Sequence, residues 1–199
     1  WIRVQCSVIY DSDHNPIKTI GVLKDITEDK SKLESLINQA QRDPLTQLYN
    51  QRVSQNLIEE YLCSSDSKNN DALLVIDIDD FKTVNDTFGH LEGNEVLVAV
   101  SKILLHNTHD KDIVARIGGD EFTIFIKSLT KDLIIKITND ILNDASKIKV
   151  KDNHKITLSI GIAFTDDSTK LYKDLFSKAD KALYLSKADG KNCYSTYEW

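Results

Sequence analysis

The chain has 199 residues, 41% hydrophobic and 28% charged, enough to bury a full core as one main domain plus an appendage. A net charge of −6 with no basic stripe excludes broad nucleic-acid binding, and no apolar run approaches the length of a membrane span. Cys6, Cys63 and Cys193 are odd in number, far apart and outside any CxxC or Cys/His ligand spacing, which argues against a disulfide framework or a zinc site and for reduced thiols in the cytoplasm.

Residues 2 to 10 alternate, with Ile2, Val4, Cys6, Val8 and Tyr10 on one face and Arg3, Gln5 and Ser7 on the other. After the turn residues "DSDHNP", "IKTIGVLKDI" resumes strand chemistry, so a β-hairpin is predicted. Two strands cannot make a core alone. The chain has no signal peptide and starts at Trp1 inside a strand pattern, so it is expected to be a piece of a longer protein. The hairpin would then close a domain lying upstream, where a membrane segment could also lie. "DITEDKSKLESLINQAQ" predicts a linker helix, with Asp25 and Glu28 spaced as a capping box. Leu33, Leu36, Ile37 and Ala40 follow at helical spacing, a narrow stripe that fits a two-stranded dimer seam at least as well as packing on its own domain.

From Asp43 onward helices and strands alternate. "NQRVSQNLIEEYL" is amphipathic, "SSDSKNND" is a polar loop, and "ALLVIDI" is the short continuous apolar run of a central buried strand. "DFKTVNDTF" and "EGNEVLVAVSKILLHN" read as helices divided by a stop at "FGH"; the second carries Val96, Leu97, Val100, Ile103 and Leu104 on one face. "ARIGGDEFTIFIK" reads as a hairpin turning on Gly118 and Gly119, followed by a helix with Leu133, Ile134, Ile137, Ile141 and Leu142. "HKITLSIGIAF" is a strand, "ADKALYLSKADGK" a helix closed by Gly190, and "NCYSTY" a last strand. The predicted class is α/β of the α+β kind, a mixed central sheet flanked by helices, with the hairpin and linker helix ahead of it.

Asp77 and Asp79 bracket the carboxyl end of the buried strand, where ligands of such sheets bind, and they share a face if the strand is regular there. Capping of the next helix explains Asp80, explains Asp79 no better than a site role does, and explains Asp77 poorly. An unpaired carboxylate at Asp77 is costly unless a cation compensates it. Taken alone, Asp120 and Glu121 are acids at a wet hairpin tip. Together with Asp77 they make an oxygen-only ligand set that suits Mg²⁺ or Mn²⁺ rather than zinc. A two-residue Gly118-Gly119 turn can take the positive φ angles of a tight hairpin, and without Cβ atoms it lets a flat ligand approach. The "DIDDFK" junction offers free backbone N–H groups at a helix start, and Lys82 adds a cation. Lys187 and Lys191 frame the end of "ALYLSKADGK"; singly each lysine reads as solvated charge, and His90 alone as a structural residue.

Five segments now stand in order: "DPLTQLYN" at 43 to 50, "DIDDFKTVNDTFGH" at 77 to 90, "GGDEF" at 118 to 122, "LSIGIA" at 158 to 163, and "ADKALYLSKADGKN" at 179 to 192. In that order and spacing, residues 43 to 199 resemble the GGDEF family of diguanylate cyclases. Upstream, "GVLKDITEDKSKLE" resembles the closing strand and exit helix of a PAS sensor domain. The resemblance implies residues 1–26 as the end of a PAS-like domain, 27–42 as a linker helix and 43–199 as the cyclase domain. It implies a fold similar to nucleotide cyclases and polymerase palms. The implied reaction condenses two GTP into cyclic di-GMP and two pyrophosphates by metal-assisted attack of a ribose 3′-hydroxyl on an α-phosphate. Each subunit holds one GTP, so a homodimer is implied, controlled through the upstream sensor. Asp77 and Asp120 match the metal-binding carboxylates, with the carbonyl of Ile78 also at the metal, and Glu121 matches the other acid of the signature. Phe81, Lys82, Lys187 and Lys191 match positions along the GTP phosphates, the last usually an arginine. Asn85 and Asn94 match the guanine contacts, and His90, Gly118 and Gly119 fall in the same substrate-binding stretches. Lys82 joins Asp77, Asp120 and Glu121 in the implied catalytic set.

Besides Lys191, two positions depart from the family pattern. The usual aspartate at position 94 accepts both N1–H and the exocyclic amine of guanine. Asn94 offers one carbonyl oxygen and a donating amide, so weaker GTP binding or relaxed base choice is expected. Where many members carry an arginine and, three residues on, an aspartate as a product-inhibition site, this chain has His109 and Asp112. Histidine lacks the arginine fork, so that site reads as degenerate and product inhibition as weak. The rival readings are a catalytically weak domain serving as a GTP-binding or partner-binding module, and a cyclic di-GMP receptor working through the inhibitory site. Retained Asp77, Lys82, Asp120 and Glu121 argue against the first, and His109 against the second. Neither nucleic-acid nor membrane contact is expected of this segment.

Overall fold

In the computed structural model the chain divides into two compact units, Trp1–Ala40 and Gln41–Trp199. The structure describes residues 1–64, 71–151, 154–166, 169 and 171–197. The polar loop expected just ahead of the buried strand lies, apart from its two ends, outside the described residues.

In the first unit, β1 (Ile2–Tyr10) and β2 (Pro16–Asp25) pair antiparallel, with Val4 opposite Leu23 and Cys6 opposite Gly21. The Asp11 carboxylate closes the turn by accepting the N–H groups of Asp13 at 2.9 Å and Asn15 at 2.8 Å. Ile2, Val4, Val8, Tyr10 and Leu23 share one face of this hairpin, and all are exposed. Helix α1 (Thr27–Gln41) starts as predicted, but the reciprocal capping box is not formed. Asp25 accepts the Thr27 N–H at 2.9 Å, whereas Glu28 reaches forward to Lys32 at 2.6 Å, the favourable i,i+4 polarity on a helix. Leu33, Leu36 and Ile37 of α1 are exposed.

The second unit is built on a six-stranded mixed sheet. Its strands are β3 (Tyr49–Asn50), β4 (Ala72–Ile78), β5 (Ile113–Arg116), β6 (Glu121–Ile126), β7 (Leu158–Phe164) and β8 (Tyr194–Thr196). Their order is β3-β5-β6-β4-β7-β8, the outer pairs parallel and the inner ones antiparallel. Central β4 is buried at every position, which is why it reads as an unbroken apolar run. Its side chains alternate between two cores. Leu74, Ile76 and Ile78 pack with α3 (Phe81–Phe88), α4 (His90–His106) and α5 (Lys131–Ala145). Leu73 and Val75 pack with α2 (Gln51–Cys63) and α6 (Tyr172–Ala188). Asp77, next in the second series, therefore faces the α6 side.

Two glycines are needed where they stand. Gly89, at φ 89°, lets the chain reverse between α3 and α4. Gly161 lets α6 lie directly on β7, because a Cβ there would overlap the Ala179 carbonyl and the Leu183 backbone. One strand was not predicted, and two helix boundaries differ from prediction. Strand β3, with two residues, is too short to show alternation and is held by parallel pairing to Ala115 and Arg116. Helix α4 starts at His90 rather than Glu92. Helix α6 starts at Tyr172 rather than Ala179, because Tyr172 and Leu175 bury against the second core.

Candidate active site

Three elements meet at the carboxyl end of β4. Asp77 stands opposite Glu121 on β6 and Ser159 on β7, and the Ile78 N–H donates to the Asp120 carbonyl at 3.3 Å. The acids of the strand end and of the glycine loop are thus locked together by backbone pairing. Asp77 is only 8% exposed, and Lys187, from the last turn of α6, places Nζ 2.8 Å from its Oδ2. Burial pushes the Asp77 carboxyl above its ordinary pKa; Lys187 pulls it down, and neighbouring Asp120 and Glu121 push it up again.

The predicted two-residue glycine turn is not what forms. The loop between β5 and β6 runs over Ile117–Asp120, and neither Gly118 nor Gly119 adopts a positive φ. The reason is a side chain that sequence reasoning missed. Arg116 Nε donates to the carbonyls of Gly118 and Gly119, each at 3.2 Å, and Nη2 donates to Gly119 at 2.7 Å. Its Nη1 meets Asp43 Oδ1 at 3.0 Å. Burial would raise the Asp43 carboxyl, but the Thr46 N–H and hydroxyl together with Arg116 outweigh it and hold the group below its ordinary value. The only sequence signal for this brace was one basic residue inside an apolar hairpin. Positive φ is therefore not what glycine supplies here. A Cβ on Gly118 would come within 2.8 Å of Glu121 Oε2, and a Cβ on Gly119 would meet nothing within 4 Å, so the loop presents a bare backbone shelf.

Asp79 and Asp80 correct two further expectations. β4 ends at Ile78, so Asp79 does not continue the Asp77 face. Its carboxylate, 6% exposed, accepts from Thr157 Oγ1 at 2.7 Å, Ser159 Oγ at 2.6 Å and the Asn192 N–H at 3.0 Å. Asp80 stands at the N-cap of α3 but makes no side-chain cap, because its φ of 54° turns the carboxylate away, and it pairs with Lys191 Nζ at 2.6 Å. Lys191 and Asn192 are themselves left-handed, at φ 64° and 51°. The start of α3 and the segment after α6 are therefore clasped by two acid contacts.

The remaining predicted residues sit on α3 and α4. Phe81 is 9% exposed with its ring in the core, and Lys82 is exposed. A Cβ on Gly93 would overlap the Asn85 side chain, so Asn85 lies across that glycine. Asn94 is exposed and lines a groove of about 540 Å³ with Leu45, Leu91 and Val98. His90 is the exposed first residue of α4. Away from this region, Asp112 accepts the N–H groups of His109 at 2.9 Å and Lys127 at 3.1 Å, bracing the loop before β5.

The donor set fits a hard divalent cation: Asp77, Asp120 and Glu121 offer only carboxylate oxygens beside an open backbone shelf. Among the described residues no three His, Cys, Asp or Glu side chains are gathered into a closed metal cluster. Also among the described residues, no helix is long and apolar enough to cross a membrane.

Comparison with known proteins adds to this geometry. Diguanylate cyclase DgcM of Escherichia coli (strain K12) is 33% identical over 175 residues, covering 86% of this chain and 42% of that protein. The probable diguanylate cyclase DgcC of the same strain is 31% identical over 195 residues, covering 96% of this chain and 52% of that protein. The chain thus spans about half or less of the length of these relatives. The crystal structure of the coiled coil and GGDEF domain of DgcB from Caulobacter crescentus, in complex with c-di-GMP, superposes with a TM-score of 0.80 at 25% identity, covering 86% of this chain and 93% of that one. Residues 40–193 match the family profile described as "Diguanylate cyclase, GGDEF domain". The matched span takes in β4, the glycine loop and α6, the elements that meet at Asp77, and the chain belongs to the GGDEF family of diguanylate cyclase domains.

Proposed function

We propose that this chain condenses two GTP into cyclic di-GMP and two pyrophosphates, two copies each contributing one bound GTP. The observation that carries the reading is the Asp77 carboxylate, nearly out of water, level with Glu121 and beside the Asp120 loop. A fold that keeps a carboxylate where its charge is unfavourable has a use for that charge. Asp77 and Asp120, with the Ile78 carbonyl, would hold Mg²⁺ or Mn²⁺, which when bound lowers the pKa of the attacking 3′-hydroxyl and offsets charge on the triphosphate. Lys187, in the last turn of α6, meets Asp77, and Lys191, just beyond that helix, meets Asp80; both would bind the triphosphate, Lys187 exchanging its Asp77 contact for a phosphate oxygen. Lys82 adds positive charge from α3, Phe81 anchors that helix start, and the bare Gly118-Gly119 backbone lets the nucleotide lie close. Asn85 and Asn94 would read the guanine, with His90 at the same helix junction.

Residues 1–26 are proposed to close a PAS-like sensor domain, 27–42 to form a linker helix whose Leu33, Leu36 and Ile37 pair with a second copy, and 43–199 to catalyse. A cytoplasmic cyclase would then be governed by how its sensor sets the meeting of two catalytic domains. The test is to incubate the purified chain with GTP and Mg²⁺ and identify the products by mass spectrometry. Cyclic di-GMP and pyrophosphate are expected, and Asp120→Ala should abolish both while circular dichroism stays unchanged. GTP binding without product at any chain concentration would replace this reading with that of a GTP-binding regulatory module.

A further inference from the structure

The outer face of α4 carries a pattern that its own domain does not use. The helix has 17 residues and is therefore about 25 Å long, and it buries Gly93, Val96, Leu97, Val100, Ser101 and Leu104. The opposite face presents Leu91, Glu95, Val98, Lys102 and Leu105. Leu91 is 83% exposed and Leu105 52% exposed, so each leucine presents half or more of its surface to water. Leu91, Val98 and Leu105 recur every seven residues, with an acid at 95 and a base at 102 placed on either side of Val98. Neither Glu95 nor Lys102 makes an ion pair among the described residues.

We propose that this face of α4 docks on the same face of a second copy, the two helices antiparallel about a two-fold axis at Val98. The charge order selects both the occupant and the direction. In a parallel pair Glu95 would face Glu95 and Lys102 would face Lys102. Run antiparallel, the face is self-complementary: Glu95 meets the partner's Lys102, Lys102 meets the partner's Glu95, and Leu91 meets the partner's Leu105. Leu45 extends the apolar wall of the groove beside Leu91. One helix pair is a small interface, so the association is weak by itself and is strengthened when something else holds two copies together. The proposal goes beyond the cyclase reading: it concerns how two copies meet in the absence of any nucleotide.

Sedimentation velocity of the whole 199-residue chain without nucleotide tests it. Glu95→Lys makes the face basic at both positions, and Lys102→Glu makes it acidic at both. Each should weaken self-association by about tenfold, since each turns two attractive contacts into repulsive ones. An equimolar mixture of the two variants should regain the wild-type dissociation constant, because every cross-contact is again between opposite charges. Leu91→Gln, at an exposed position outside the core, should weaken association as well. Unchanged dissociation constants in both charge variants would overturn the proposal, and so would a mixture that associates no better than either variant alone. Failure of the cyclase reading is separate: it shows as absent product from GTP, while these dissociation constants are read without any nucleotide.

Discussion

Replacing Asp77 by asparagine should make the protein more stable and inactive. Asp77 is 8% exposed and its pKa is raised, first by burial and then by Asp120 and Glu121, with Lys187 only partly compensating. Its surroundings therefore favour the neutral form, and asparagine has that shape while keeping an oxygen for Lys187. An acid whose folded-state pKa exceeds its unfolded value binds more protons folded than unfolded, so the stability it contributes is lost as pH rises through the folded value. At neutral pH the wild type carries the whole cost. Removing one half-compensated buried charge is worth about 1 kcal/mol, or about 2–4 °C in Tm for a domain of this size. Thermal melts in EDTA, followed by circular dichroism, should show Asp77→Asn melting higher at pH 7. The advantage should vanish below the ordinary carboxyl value of 3.8, where both side chains are neutral. Adding Mg²⁺ should raise the wild-type Tm and leave the variant unmoved, and turnover of GTP should be lost. A variant that melts at or below the wild type at pH 7 would refute the reasoning and show that the Lys187 pair outweighs desolvation.

Gly161→Ala should cost about 3 kcal/mol in urea denaturation, because its Cβ overlaps α6 backbone rather than a flexible side chain; an unmoved midpoint would mean that α6 is not seated as described. Arg116→Ala should lower turnover more than stability by releasing the Gly118 and Gly119 carbonyls, and Arg116→Lys should not rescue it, since one ammonium cannot span both carbonyls and Asp43; full activity in the lysine variant would count against the brace. Asn94→Asp should tighten GTP binding, by about 1–3 kcal/mol if both guanine donors are then met, and sharpen selectivity against ATP; calorimetry showing neither change would remove Asn94 from the base-reading set.

Much of the frame was legible because burial leaves a local trace. β4 reads as an apolar run since both its faces are covered, and α4 and α5 read as helices because one stripe of each is apolar. The acids that meet at its end, Asp77, Asp120 and Glu121, can be grouped from residue types alone, because a buried carboxylate needs a reason wherever it sits. What stayed hidden depends on partners far apart in the chain. Arg116 meets Asp43 across 73 residues, and Asp79 meets Asn192 across 113, so no window of periodicity or turn chemistry contains either pair. The glycine loop was misread for the same reason: a local rule supplies a two-residue turn, but the fork of Arg116 closes a longer one and leaves the glycines as an open backbone shelf. Asp80 was misread as a cap because capping is judged from the neighbours that follow, while its true partner, Lys191, arrives from beyond α6. Residue pattern by itself determines which faces are dry; which distant charges then meet is decided by the register of β4 between β6 and β7 and by the closeness of α6 to Gly161, which only the packed structure sets.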